Sequence, residues 1–225
     1  MSASLPKRVV AEALGSALLL ATVVGSGIMA ERLAGGNVAV ALLANALATG
    51  AALVALLLTF GPVSGAHLNP VVTVAAAAGG ELSWRDAVAY VVAQVAGAVS
   101  GVVLAHLMFA LPFVAGSRHV RAGAAQALSE VVATFGLIAV IHGVSRARAA
   151  ATPYAVAAYI VAAYWFTAST SFANPAVTIA RTLTDTFAGI RPADAPLFIG
   201  AQIVGAALGT VTMRWLVPVA KKETA

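Results

Sequence analysis

Apolar residues run along this chain in six long blocks, approximately 9–30, 38–60, 86–110, 125–144, 154–172 and 196–217. Each suits a helix crossing a hydrocarbon layer, which takes roughly 20 residues. Two further apolar stretches, about 69–79 and 174–185, are half that length and too short to cross. Turn residues lead into both: Gly61, Pro62, Ser64 and Gly65 before the first, and Ser169, Thr170 and Ser171 before the second. The pattern predicts six spanning helices and two re-entrant half-helices.

Each short stretch opens on Asn-Pro: Asn69-Pro70-Val71 and Asn174-Pro175-Ala176. Asn is a preferred N-cap and Pro is favoured in the first helical turn, so the pair marks a helix start. The surroundings also recur. NPVVTVA (69–75) and NPAVTIA (174–180) agree at five of seven positions, and AQVAGAVSG (93–101) and AQIVGAALG (201–209) at five of nine. Glu12 in the first span has its counterpart in Glu130 in the fourth. The chain is one domain, 1–225, built from repeats at approximately 9–110 and 125–217. Each repeat holds three spans, an odd number, so the second enters the membrane upside down relative to the first. Inverted repeats of this kind place a transport site near the bilayer midplane.

Inversion sets the two half-helix N-termini against each other at the membrane centre. The extended backbone before each Asn is tolerated at that depth only if buried in protein or lining a wet cavity, which argues for a pore. Two helix N-termini repel cations and hydronium ions. The Asn69 and Asn174 amides donate hydrogen bonds to a passing neutral oxygen and oppose the continuous wire of waters that protons need.

Composition supports the membrane reading. The chain is 61% hydrophobic and 9% charged, against about a quarter charged in soluble domains, and its mean hydropathy is +0.95. No cysteine is present, which excludes disulfides and thiolate metal sites. The N-terminal MSASLPKRVV places basic residues before an apolar run, but Glu12 interrupts that run and no clear cleavage site follows. It is predicted to be a retained first span. Gly97, Gly101, Gly205 and Gly209 are expected at close helix contacts. The net charge of +5 divides by side. Six spans put both termini together with Lys7, Arg8, Arg85, Arg146, Arg148, Arg214, Lys221 and Lys222. Arg32, Arg118, Arg121 and Arg191 fall opposite. Eight against four predicts cytoplasmic termini and a multi-pass protein of the inner or plasma membrane. The charge does not call for nucleic acid.

SGAHLNPVVT, FANPAVT, the six spans and the inverted repeat together resemble the major intrinsic proteins, that is, aquaporins and aquaglyceroporins. The resemblance covers nearly the whole chain and implies a homotetramer with one pore per subunit and no cofactor. The first box departs from the family at Val71, where Ala is usual. The resemblance also implies a four-residue filter, read by spacing from the Asn residues with no gap: Thr49, Ala162, Ser171 and Val177. The family usually has Arg at the last of these positions and an aromatic partner beside it. On this reading all four are small, so the filter is expected to be wide, with an apolar wall at Val177 and hydroxyls at Thr49 and Ser171. Expected solutes are water, glycerol-like polyols, urea-like molecules and neutral metalloid hydroxides such as arsenite. Methylated arsenicals would gain from the apolar wall, and the missing Arg resembles bacterial members linked to arsenic.

Arg181 lies four residues beyond Val177 on the same helix face. It either reaches the vestibule or, as favoured here, pairs with Asp185 or turns to the surface. Glu12 and Glu130 are intramembrane acids, costly unless paired. Proton or ion coupling in a secondary transporter is one role for them. The expected role, by resemblance, is bracing the half-helix loops. His67 is expected to brace the loop or line the pore. Gln94 and Gln202 are expected to bond to the half-helix loops. Tyr154, Tyr159, Tyr164 and Trp165 are expected to be packing or interface anchors. His106, His119 and His142 have no ligand-like spacing, so no metal is proposed. No catalytic set is present, so the protein is not expected to be an enzyme.

Overall fold

The computed structural model describes residues 3–217, and those residues are all helix and loop. The eight α-helices are α1 (Leu5–Leu33), α2 (Val38–Ser64), α3 (Pro70–Ala78), α4 (Trp84–Met108), α5 (Ala124–Arg148), α6 (Thr152–Phe166), α7 (Pro175–Arg181) and α8 (Ala195–Leu216). Local chemistry sets several ends. The Asn37 side chain accepts from the Val40 N–H at the start of α2, and Gly65 closes that helix in the left-handed region at φ 87°. Ser83 caps α4 through the Asp86 N–H at 3.1 Å.

Four helices, α1, α2, α4 and α8, are long and apolar enough to cross by themselves. A fifth apolar stretch of 43 residues, Ala124–Phe166, is a hairpin. Arg148 leaves helical geometry (φ −152°, ψ 73°), and the Tyr159 hydroxyl returns to donate to the Val132 and Ala133 carbonyls at 3.3 and 3.1 Å. It therefore supplies two crossings, and the six expected spans are all present.

Two predicted ends are corrected. The fifth span was expected to reach residue 172, but α6 stops at Phe166. Residues 167–173 form the loop that feeds α7, and Thr170, Ser171 and Ala173 take positive φ that no right-handed helix allows. The second half-helix was expected to reach 185, but it stops at Arg181. Thr182 and Leu183 instead turn their carbonyls to the N–H groups of Ser117 and Ala115 in the loop after α4, each at 2.9 Å.

The repeats dock in parallel ways, α1 on α4 and α5 on α8. A side chain at Gly97 or Gly101 would strike the backbone of Ala13 or Ala17, and one at Gly205 or Gly209 that of Val131 or Phe135. All four predicted close contacts are present. In lipid, such backbone-to-backbone packing holds helices together where the hydrophobic drive is absent.

Basic residues at both ends of the helices find partners. On the terminal face Arg8 pairs with Asp86 at 2.7 Å and Arg146 donates to the Val217 carbonyl. On the far face Arg118 pairs with Asp185 at 2.8 Å, and the Arg191 N–H donates to the His119 carbonyl at 2.7 Å. Lys221 and Lys222 lie outside the described residues.

Candidate pore

The two loops that carry Asn69 and Asn174 follow unusual backbone paths. Ala66 and Leu68 in the first, and Ser171 and Ala173 in the second, have φ of 47–52°. Each such non-glycine residue costs about 1–2 kcal/mol and persists only if its surroundings impose it. Glu12 and Glu130, both 0% exposed, impose it. One Glu12 oxygen accepts from the Ser64 hydroxyl and the His67 N–H at 2.6 and 3.0 Å; the other accepts from the Leu68 N–H and the Gln94 amide, both at 2.7 Å. Glu130 accepts from the Phe172 and Ala173 N–H groups, each at 2.9 Å, and from the Gln202 amide at 2.6 Å. The same two glutamines reach on to the half-helices, Gln94 to Thr73 and Gln202 to Thr178, at 2.8 and 2.9 Å. These donors fill the carboxylates, as fits loop bracing.

The half-helix tips meet. Asn69 accepts from the Val71 N–H at 3.1 Å and so caps α3, while its amide donates to the Ala173 carbonyl at 2.8 Å. Asn174 accepts from the Ala176 and Val177 N–H groups and donates to the Leu68 carbonyl at 2.8 Å. Each asparagine thus caps its own helix and ties itself to the other loop. An amide carries two N–H donors, of which one is used in each tie.

A cavity of about 450 Å³ passes this junction. Its terminal end is lined by Glu81, Arg146 and Ala149, its middle by Leu68, Asn69, Ala173 and Asn174, and its far end by Thr49, Tyr164, Val177 and Arg181. His67 lines it too, with its Nδ1 3.1 Å from the Thr73 hydroxyl and its ring edge-on to Tyr90. Pro70, Val71, Pro175 and Ala176 are buried in the first turns behind the asparagines.

Of the four spacing-derived filter positions, Thr49, Ser171 and Val177 line the cavity. The Ser171 hydroxyl is buried and has no partner among the described residues. Ala162 is a correction: it is exposed on the outside of α6. The face of α6 toward the cavity runs through Val156, Ile160 and Tyr164, one turn apart each time, and Ala162 lies on the opposite side. Tyr164, expected to be a packing residue, is the buried wall residue at this level, with its hydroxyl 3.3 Å from that of Thr49. An aromatic side chain therefore does line the cavity together with Thr49 and Val177. The count from Asn174 assumed an uninterrupted match along 167–173, and spacing alone does not fix which face of α6 a residue takes.

Arg181 is a second correction. It neither pairs with Asp185 nor reaches the surface. It is 2% exposed, donates to the Ala188 carbonyl and lies on the ring of Phe172, with the guanidinium carbon 3.4 Å from the ring centre. Asp185 is held by Arg118, whose N–H and guanidinium hold its carboxyl below the usual carboxylate range.

Arg121 was read only as a far-side loop charge. It is buried and bonds the Gly189, Ser169 and Thr170 oxygens, and its guanidinium carbon lies 5.1 Å from the centre of the same Phe172 ring. Burial lowers its pKa to about 10, so it is charged at neutral pH.

Residues 1–166 match the family model described as major intrinsic protein. The chain is similar to the aquaglyceroporin AqpS of Rhizobium meliloti (strain 1021), at 56% identity over 217 residues that cover 96% of this chain and 93% of that protein. It is similar to aquaporin Z of Bradyrhizobium diazoefficiens at 32% identity, covering 93% of each. The X-ray structure of the aquaglyceroporin from Plasmodium falciparum shares the fold, with a TM-score of 0.72 at 18% identity over 95% of each chain.

Proposed function

Because the chain belongs to the major intrinsic protein family, we propose that it is a passive channel for small neutral polar solutes with a filter open enough for molecules bulkier than water. The expected solutes are water, glycerol-like polyols and neutral metalloid hydroxides such as arsenite, with methylated arsenicals gaining from the apolar wall. The observation that carries this reading is Val177, whose side chain lines the cavity directly after the second Asn-Pro-Ala. An isopropyl group there neither narrows the passage nor competes for solute oxygens as a guanidinium would. Thr49 supplies a hydroxyl to the wall, and the spare N–H donors of Asn69 and Asn174 supply the central contacts. Tyr164 makes this wall partly aromatic, so the opening is asymmetric rather than uniformly small.

Coupled transport through Glu12 and Glu130 is disfavoured, because both carboxylates are filled by backbone and side-chain donors and a proton there would displace them. We further propose a homotetramer in the bacterial inner membrane with the terminal face in the cytoplasm, which the distribution of basic residues supports.

Stopped-flow light scattering on proteoliposomes, comparing water, glycerol, urea and arsenite, tests the reading. Val177→Arg is expected to lower glycerol and arsenite permeability about tenfold while changing water permeability by no more than about twofold. An equal loss for all solutes would overturn the open-filter reading.

A further inference from the structure

Arg181 carries a buried charge at the far end of the cavity. The Ala188 carbonyl and the π face of Phe172 hold that charge without cancelling it. No carboxylate among the described residues forms an ion pair with it; the nearby Asp185 is taken by Arg118. Arg121, over the same ring, adds a second positive charge rather than a counter-charge. The Glu130 carboxylate, whose field reaches both guanidiniums, is occupied by loop and Gln202 donors and forms no ion pair with them, and the surrounding wall of Val177, Tyr164 and Phe172 is a low-dielectric lining that focuses the remaining positive field into the passage.

We propose, on the basis of the channel reading above, that Arg181 is the residue that selects solutes by charge, while Val177 one turn earlier sets their size. The two tasks are then carried by different side chains. A guanidinium set back against Phe172 repels cations through its field and leaves the lumen at Val177 free for bulky neutral molecules. The repeat gives an internal control: the position seven residues after Asn69 is Ala76, so the first half-helix carries no counterpart of Arg181.

The test uses urea and guanidinium, two planar molecules of nearly the same shape that differ in charge, with the full chain in proteoliposomes. Wild type is expected to conduct urea and exclude guanidinium. Arg181→Gln keeps a donor for Ala188 and removes the charge; it is expected to keep urea flux within about twofold and raise guanidinium flux at least about tenfold. Arg181→Lys is expected to restore exclusion. Should Arg181→Gln not assemble, Arg181→Met fills similar space without the charge and is expected to admit guanidinium. Guanidinium exclusion persisting in either urea-conducting variant, or guanidinium passing through wild type, overturns this proposal alone. Wild type conducting neither urea nor glycerol removes the channel reading and this proposal with it.

Discussion

The loops around Asn69 and Asn174 are built from the same parts but differ at their edges. Both have a glutamate filled by backbone N–H groups, a glutamine bridging that glutamate to a half-helix threonine, and an asparagine tied to the opposite loop. Valine stands three residues after each asparagine, as Val72 and Val177. Two residues before it, however, the first loop has His67 and the second Phe172. Seven residues after it, the first has Ala76 and the second Arg181. Phe172 and Arg181 stack on one another, so these two differences form a single device. The repeat duplicates what positions backbone in the membrane and diverges where a passing solute meets side chains.

The shared half of that comparison gives the largest expected effects. Glu12→Gln or Glu130→Gln turns an amide donor toward groups that already donate, leaving buried N–H groups unpaired, at a cost of at least about 3 kcal/mol. Both variants are expected to lose folded yield in detergent and all solute flux. A variant that stays folded and conducts while losing proton dependence would instead favour coupled transport.

Helix contacts come next. Gly97→Val and Gly205→Val press a side chain into the backbones of Ala13 and Val131. Each is expected to cost about 1–3 kcal/mol, because backbone cannot step aside. The two should lower the thermal unfolding midpoint by similar amounts if the helix pairs are equivalent; Gly200→Val, which meets nothing within 4 Å, should not.

The smallest effect probes a feature of the second loop alone. Asp194 accepts from the Arg191 guanidinium at 2.8 Å and the Arg121 N–H at 2.9 Å, and Arg121 in turn holds the loop before Asn174 through Ser169. The Arg191 bond, more than that from Arg121, holds the Asp194 carboxyl below the usual range. A depressed pKa contributes stability above the unfolded value of about 3.9 and loses it as pH falls through the lower folded value. Asp194→Asn is expected to cost about 0.5–1 kcal/mol at pH 7, limited by the half-exposed Arg191. Unfolding midpoints of variant and wild type should converge as pH falls below the usual carboxylate range.

Much of this architecture was legible in the residues. Span length follows from bilayer thickness, helix starts from Asn-Pro, and inversion from an odd number of spans per repeat. The residues alone left Glu12 and Glu130 open between ion coupling and bracing; the bracing role came from the family resemblance, and the donors around both carboxylates agree with it. Position around a helix axis was not legible. Ala162 and Tyr164 differ by two residues, about 200° of rotation, so a slip of two in a counted spacing exchanges the lumen for the outside. Partner choice was not legible either. Arg181 had Asp185 at helical spacing, but α7 ends at Arg181 itself, and the loop after α4 brings Arg118 to that carboxylate. Spacing along a chain thus determined which segments enter the membrane. Only the packing of distant segments decided which side chains face the passage, because helix rotation and ion pairing are set by neighbours that no local pattern encodes.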